Sequence, residues 1–411
     1  MSEAMMDFND SPEQANYRMQ CRSWLAEALT DFDGRRPHFP DFDVPEVMAA
    51  ARAWQSRKAL AGYAAISSPR DYGGGGGSRI EQEIFDQEER ASPAPFTDVF
   101  DIGLGMALPT MAAFATPEQK SALLPPLIAG RDIWCQLFSE PSCGSDLAAV
   151  RTRAIRDGTD WILDGQKIWT SYAQHADYGL ILTRSNPDVP KHKGLTCFFI
   201  DMRAPGVEVR PIVQMASIAE YNEVFFTGVR VPDAQRLGEV DGGWSVALST
   251  LMHERTLGGA GKVRGLNIAD IIEGARKLQI GDVPALADGA VRERIADWWI
   301  DIEGIRLNYY RELTLLTRGE TPGPEFSAGK LMSGRQVQEM TAFMLDLSGP
   351  SAIDIGDDSD SAGLAMEWLM AARRRLAGGA DEIMKNILAE RVLGLPVEPR
   401  LDKDIPFRDL F

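Results

Sequence analysis

The spacing of apolar residues changes period twice along this chain, and that change restricts the possible folds more than any other feature. From about residue 11 to 130, apolar positions recur every three or four residues, as at Trp24, Leu25, Ala28 and Leu29, the spacing of helices with one buried face. Between about 135 and 235 the period gives way to short extended runs at 161–163, 180–182, 196–200, 207–209 and 224–226. Asp157-Gly158, Asp164-Gly165 and Pro205-Gly206 separate them as turn signals, which predicts a β block, antiparallel in character. Beyond about 241 the helical period returns, with Ile295, Trp298, Ile302, Ile305, Tyr309, Leu313 and Leu316 along one face. Strands do not alternate with helices, so a doubly wound sheet is excluded and an α+β architecture is expected. The expected units are helical over 1–130, β over 131–240 and helical over 241–411.

The 411 residues suffice for more than one core. No apolar run reaches the ~18 residues of a membrane span. The opening MSEAMMDFNDSPEQ lacks the basic and apolar regions of a secretory signal, so a cytoplasmic protein that does not engage membranes is expected. Cys21, Cys135, Cys143 and Cys197 have no C-x-x-C spacing, which points to buried thiols. A net charge of −17 opposes binding to nucleic acid.

Several apparent motifs carry little. The run Gly73, Gly74, Gly75, Gly76 and Gly77 lacks the strand and helix context of a phosphate-binding loop and reads as a flexible connection. His38, His175, His192 and His253 share no metal-ligand spacing, and Cys143-Gly144-Ser145-Asp146 lacks the second glycine of a nucleophile elbow. Two segments say more. WCQLFSEPSCGSDL (134–147) runs from an extended stretch into a turn of Ser, Pro and Gly that can expose N–H groups and hydroxyls. DGQKIWTSYAQHAD (164–177) follows an indole, Trp169, with Thr170 and Ser171. An aromatic wall with hydroxyl donors suits a flat, polar-edged ring system, but the residues alone fit a Trp buried in a β core equally well.

These two segments resemble the flavin-binding signatures of the acyl-CoA dehydrogenase family. ATPEQKSALLPPLIAGR (115–131), YNEVFFTGVRVP (221–232), GEVDGGW (238–244), LMHER (251–255) and LAGGADEIMKNILAERVLGLP (376–396) follow the family pattern in the same order. The resemblance implies an N-terminal helical domain, a middle β-barrel-like domain and a C-terminal four-helix bundle. It also implies FAD as cofactor and an acyl-CoA thioester as substrate, dehydrogenated at Cα–Cβ. By similarity, Gln136, Leu137, Phe138, Ser139, Gly144 and Ser145 line the flavin or acyl-CoA site, Ser145 on the CoA side, with Trp169, Thr170 and Ser171 against the flavin ring. In this chemistry a base takes the α proton while hydride leaves the β carbon, so base and flavin clamp the bond from opposite sides.

Two positions serve as the base in the family. The commoner, a glutamate before a glycine in the C-terminal motif, falls here on Gly378, which cannot take a proton but can offer its N–H to the thioester oxygen. The other lies in the helix opening the C-terminal domain and falls on Glu254, the candidate base, with Arg255 beside it to orient it or the substrate. Without the family context Glu254 reads as a surface carboxylate or ion-pair partner. Asp381 and Glu382 lie past the base position, and Glu382 is expected to help hold the cofactor or cap the next helix.

Residues 275–296 lack the R-x-F-G pattern used against a neighbouring subunit's flavin, and Leu347-Ser348-Gly349-Pro350 replaces a glycine-rich stretch with the same use. Both departures resemble bacterial members acting on steroid side chains and other bulky acyl-CoAs, some built from two different subunits. The resemblance thus implies a homodimer or homotetramer, or a heterotetramer with a related subunit. An electron-transfer flavoprotein is the expected acceptor. An oxygen-using oxidase and a non-catalytic partner subunit are the alternatives.

Overall fold

The computed structural model describes residues 9–32, 40–257, 266–320, 323–353 and 360–410; the side chains at 254–257, 351, 353 and 360–362 lie outside the description. The chain divides into two compact units, Met1–Phe100 with Pro117–Arg131, and Asp101–Thr116 with Asp132–Phe411.

The first unit is helical: α1 Pro12–Ala28, α2 Pro45–Ala61, α3 Arg79–Ala91 and, after the chain returns, α5 Pro117–Ile128; the intervening α4, Leu108–Phe114, belongs to the second unit. Ser11 with Gln14 and Ser78 with Glu81 form reciprocal capping boxes at the starts of α1 and α3, satisfying amides that the first turn leaves unpaired. The core joins Cys21, Leu25, Trp54, Ile84 and Phe85, with Tyr63 stacked on Phe85 at 4.7 Å. Each large side chain so buried contributes about 1.5–3 kcal/mol.

The glycine run does not form a flexible loop. The amides of Gly73 to Gly77 donate in turn to the carbonyls of Arg70, Pro69, Ala65, Ser68 and Ile66 at 2.8–3.2 Å. A Cβ at Gly74 would stand 2.2 Å from the Ser68 oxygen and one at Gly75 2.4 Å from that of Gly62. Glycine is needed here for close approach, and the coil is fixed by its own backbone bonds.

In the second unit the β block contains β1 Trp134–Leu137, β2 Arg153–Asp157, β3 Asp160–Ser171, β4 Tyr178–Arg184, β5 Leu195–Asp201, β6 Val207–Ile212, β7 Tyr221–Pro232 and β8 Arg236–Leu237. The sheet runs β6-β7-β3-β2-β4-β5-β8, with β1 beside β4. Pairing is antiparallel except for β1 and β2 against β4, which are parallel. Every expected extended run lies in a strand. Asp157-Gly158 and Pro205-Gly206 are turns, but Asp164-Gly165 is not: Gly165 sits inside β3 where the register shifts. A Cβ there would approach the Thr152 hydroxyl at 2.5 Å, so this glycine makes a bulge rather than a reversal.

Helix α6, Gly243–Leu257, starts against β5, where a Cβ on Gly243 would lie 2.8 Å from the Cys197 amide nitrogen and the Leu195 oxygen. It packs along α4 through the Thr110 and Thr250 hydroxyls, 2.9 Å apart. Beyond it α7 Ile268–Lys277, α8 Gly289–Thr317, α9 Ser327–Ser348 and α10 Asp360–Ala371 form the C-terminal bundle. They share one core containing Ile271, Val291, Ile295, Trp298, Met340, Met344 and Ala371. The short α11, Asp381–Ile387, follows. All four cysteines are buried and free; burial pushes the Cys197 thiol up to about 12. Among the described residues no helix is long and apolar enough to cross a membrane.

Candidate active site

The two informative segments meet through a buried ion pair. Lys167 is fully buried, and its Nζ donates to Glu140 Oε1 at 2.8 Å and to the Phe138 carbonyl at 2.9 Å. Glu140 accepts two further bonds, from the amides of Arg151 at 2.6 Å and Thr152 at 2.9 Å. Burial pushes the Glu140 carboxyl up, but Lys167 and the amides outweigh it and hold the group below its usual range. Burial pulls Lys167 down, opposed by the Glu140 carboxylate 2.8 Å from its Nζ.

This pair sits at the start of an irregularity in β3. Lys167 pairs with Val224 of β7 and Thr170 with Asn222, so two residues, Ile168 and Trp169, oppose one. The freed Ile168 amide donates to the Ser139 carbonyl at 3.0 Å, tying β3 to the end of the first segment. Asn222 secures the far side, donating to the Thr170 carbonyl at 3.1 Å and to Gln174 at 2.6 Å. Trp169 consequently adopts φ 60°, a left-handed conformation rare for a bulky residue, and its side chain is 57% exposed. The core-tryptophan reading of Trp169 is overturned.

Tyr221 stands edge-on to Trp169, ring centroids 6.1 Å apart. The Thr170 hydroxyl is buried and has no partner in the described structure, and neither does the Asn222 side-chain oxygen. Unmet hydrogen-bonding groups beside an uncovered indole suit a planar ring with polar edges. A flavin therefore fits these residues.

The segment just before the C-terminal motif reaches Tyr221. Arg373 follows α10, ion-pairs with Glu220 and donates to the Tyr221 hydroxyl at 3.3 Å. Burial and the neighbouring Arg373 pull the Arg374 guanidinium down to about 10. Gly378 and Gly379 have φ of 66° and 97°, and Lys330 donates to the Gly379 carbonyl. Asp381 is buried and bonded to Arg375 at 2.6 Å, which makes it a structural partner rather than a free base. Glu382 is exposed in the first turn of α11; the cap position is Ala380, so Glu382 does not cap the helix.

Of the other expected site residues, Leu137 and Phe138 are buried, and the Phe138 carbonyl accepts from Lys167. Gln136, Ser139 and Ser171 are half-buried, and Gly144 and Ser145 are exposed in the turn after the Glu140–Cys143 bridge. Glu254 and Arg255 fall within α6, but their side chains lie outside the described residues. Sequence reasoning missed Glu140, Lys167, Tyr221, Asn222 and Arg373. The first four lie inside quoted motifs; only their pairing was invisible.

Models of the acyl-CoA dehydrogenase N-terminal, middle and C-terminal domains match residues 11–131, 135–229 and 241–393. Acyl-CoA dehydrogenase IpdE1 of Mycobacterium tuberculosis is 33% identical over 93% of this chain and 98% of its own length. Acyl-CoA dehydrogenase FadE34 of the same organism is 36% identical over 91% of this chain, which spans half of that longer protein. Among solved structures, the Tcur3481-Tcur3483 steroid ACAD superposes with TM-score 0.80 at 25% identity, covering 96% of this chain and 100% of that one. The ChsE4-ChsE5 complex from M. tuberculosis does so at 0.77 and 26%, covering 96% and 100%. With its three domains matched in order, the chain belongs to the acyl-CoA dehydrogenase family of FAD-dependent oxidoreductases.

Proposed function

We propose that this protein dehydrogenates an acyl-CoA thioester at Cα–Cβ to the 2-enoyl-CoA, with Glu254 as the base. The observation that carries the reading is the bulge in β3, which holds Trp169 open beside the unpartnered Thr170 hydroxyl. Trp169, Thr170 and Ser171, with Gln136, Leu137, Phe138, Ser139 and Gly144, would hold the cofactor, and Glu382 would assist. When bound, FAD supplies the hydride acceptor that oxidation of Cα–Cβ requires. Glu254 takes the α proton, and Arg255 orients it or the substrate. The Gly378 N–H donates to the thioester oxygen and stabilises the charge that develops there. Ser145 contacts the CoA part.

A bulky or steroid-type acyl group is favoured by the similarity to the steroid ACAD. The same reading has the enzyme working in the cytoplasm and passing electrons to an electron-transfer flavoprotein. A second reading has support from one observation: Gly378 provides no carboxylate, as expected of a subunit that completes a related chain's site. Glu254→Gln separates the two. For a base, turnover falls about 10²- to 10⁴-fold while the bound flavin spectrum is kept. Unchanged turnover in that variant removes Glu254 from the chemistry, and activity only on adding a related chain favours the partner role.

A further inference from the structure

Residues 400–408 return to the β block and bind the loop at 187–191, which in turn touches the turn that carries Ser145. Pro406 forms a β-bridge with Pro190, the Phe407 amide donates to the Val189 carbonyl at 2.9 Å, and that of Arg408 donates to the Pro187 carbonyl at 3.0 Å. Arg408 also pairs with Asp188 at 2.8 Å. Residues 187–191 are therefore clamped by a segment more than 200 positions away in sequence.

Two cations carry the contact onward. Lys191, 6% exposed, places Nζ 2.7 Å from Asp402 of the terminal segment and 2.7 Å from Asp146. Arg400 donates to the same Asp402 at 3.1–3.2 Å. Arg184, also buried, lies over the Phe407 ring at 3.9 Å and donates to the carbonyls of Lys191 at 2.7 Å and Ala148 at 2.6 Å. Asp146 and Ala148 follow Gly144 and Ser145 on the C-terminal side of the turn, and among the described residues nothing lies within 4 Å of a Cβ built on Gly144. The Glu140–Cys143 bridge closes the base of the turn, and with Gly144, Ser145 and Asp146 exposed these two anchors restrain its far edge.

We infer that residues 400–408 form a positioning element for the substrate loop: through Lys191 and Arg184 they fix Gly144–Ser145–Asp146, and so set how tightly the CoA part of the substrate is held. The inference rests on the assignment of Ser145 to the CoA side. Asp402 and Phe407 touch no reacting atom; they are positioning residues, and their loss acts on binding rather than on the chemical step.

The test uses the full-length holoenzyme carrying Asp402→Asn with Phe407→Ala, and Asp402→Glu as the conservative variant. Each is assayed with an acyl-CoA that reduces the wild-type flavin and with the same acyl group as its N-acetylcysteamine thioester, which lacks the nucleotide. The expected result is a KM for the CoA ester raised roughly five- to twentyfold, with kcat within about twofold, an unchanged flavin spectrum and an unchanged KM for the short thioester. Asp402→Glu is expected to remain close to wild type. If the double variant loses thermal stability, Asp402→Asn alone is read in its place, with a smaller rise expected. An unaltered KM for the CoA ester, or an equal rise for both thioesters, overturns the inference. A wild type that no acyl-CoA reduces overturns the assignment of function instead.

Discussion

The glycine run at 73–77, which in sequence reads as a flexible connection, and the bulge at 167–170, whose Trp169 reads equally well as core, end in opposite states. In the first, all five amides donate to neighbouring carbonyls, and a Cβ at Gly74 would clash with backbone. In the second, the strand leaves its partner for two residues, the Thr170 hydroxyl and Asn222 side-chain oxygen stay unpaired, and an indole stands more than half exposed. A site is marked by the groups a fold leaves unspent, and residue type alone does not reveal which those are.

Breaking the support of the open region has the largest expected effect. Lys167→Met strands the Glu140 carboxylate in a dry interior, and a loss of about 3–5 kcal/mol is expected in urea unfolding, together with loss of bound flavin. A variant of wild-type stability and colour would detach the ion pair from the bulge. Because the Glu140 pKa is depressed in the folded state, its contribution is present above the unfolded carboxylate value, ~4.3. It is lost as pH falls through the lower folded value. Acid unfolding of Glu140→Gln is therefore expected to be flatter with pH across that window than wild type; identical slopes would contradict the pairing.

The closed region gives the intermediate effect. Gly74→Ala forces a methyl against the Ser68 carbonyl and is expected to cost about 1–3 kcal/mol, with flavin content per folded protein unchanged. A flavin defect in this variant would erase the contrast between the regions. The smallest effect sharpens it: Trp169→Ala removes an exposed side chain, so stability should move by no more than about 0.5 kcal/mol. Flavin affinity is expected to fall roughly three- to tenfold for the lost ring contact, read by equilibrium dialysis; a large stability loss with unaltered affinity would return Trp169 to a structural role.

The strands were legible because β-branched and aromatic runs such as 196–200 and 224–226 are short, apolar and bounded by turn signals, and the α8 face was legible from its spacing. Asp164-Gly165 misled because a bulge and a turn want the same glycine. The exposure of Trp169 was not legible: it depends on the register between β3 and β7, set by residues more than 50 positions apart. The Glu140–Lys167 pair was hidden for a similar reason, since burial of a Lys and a Glu contradicts their ordinary surface preference. The family motifs located the site's segments without revealing the bonds that join them.

The central claim is tested most directly by the visible spectrum of the purified chain during anaerobic titration with a series of saturated acyl-CoAs. The account requires a bound oxidised flavin whose absorbance bleaches stoichiometrically with one class of thioester, bulky acyl groups foremost. A yellow protein that no acyl-CoA bleaches, or a chain that takes up no FAD, would contradict it.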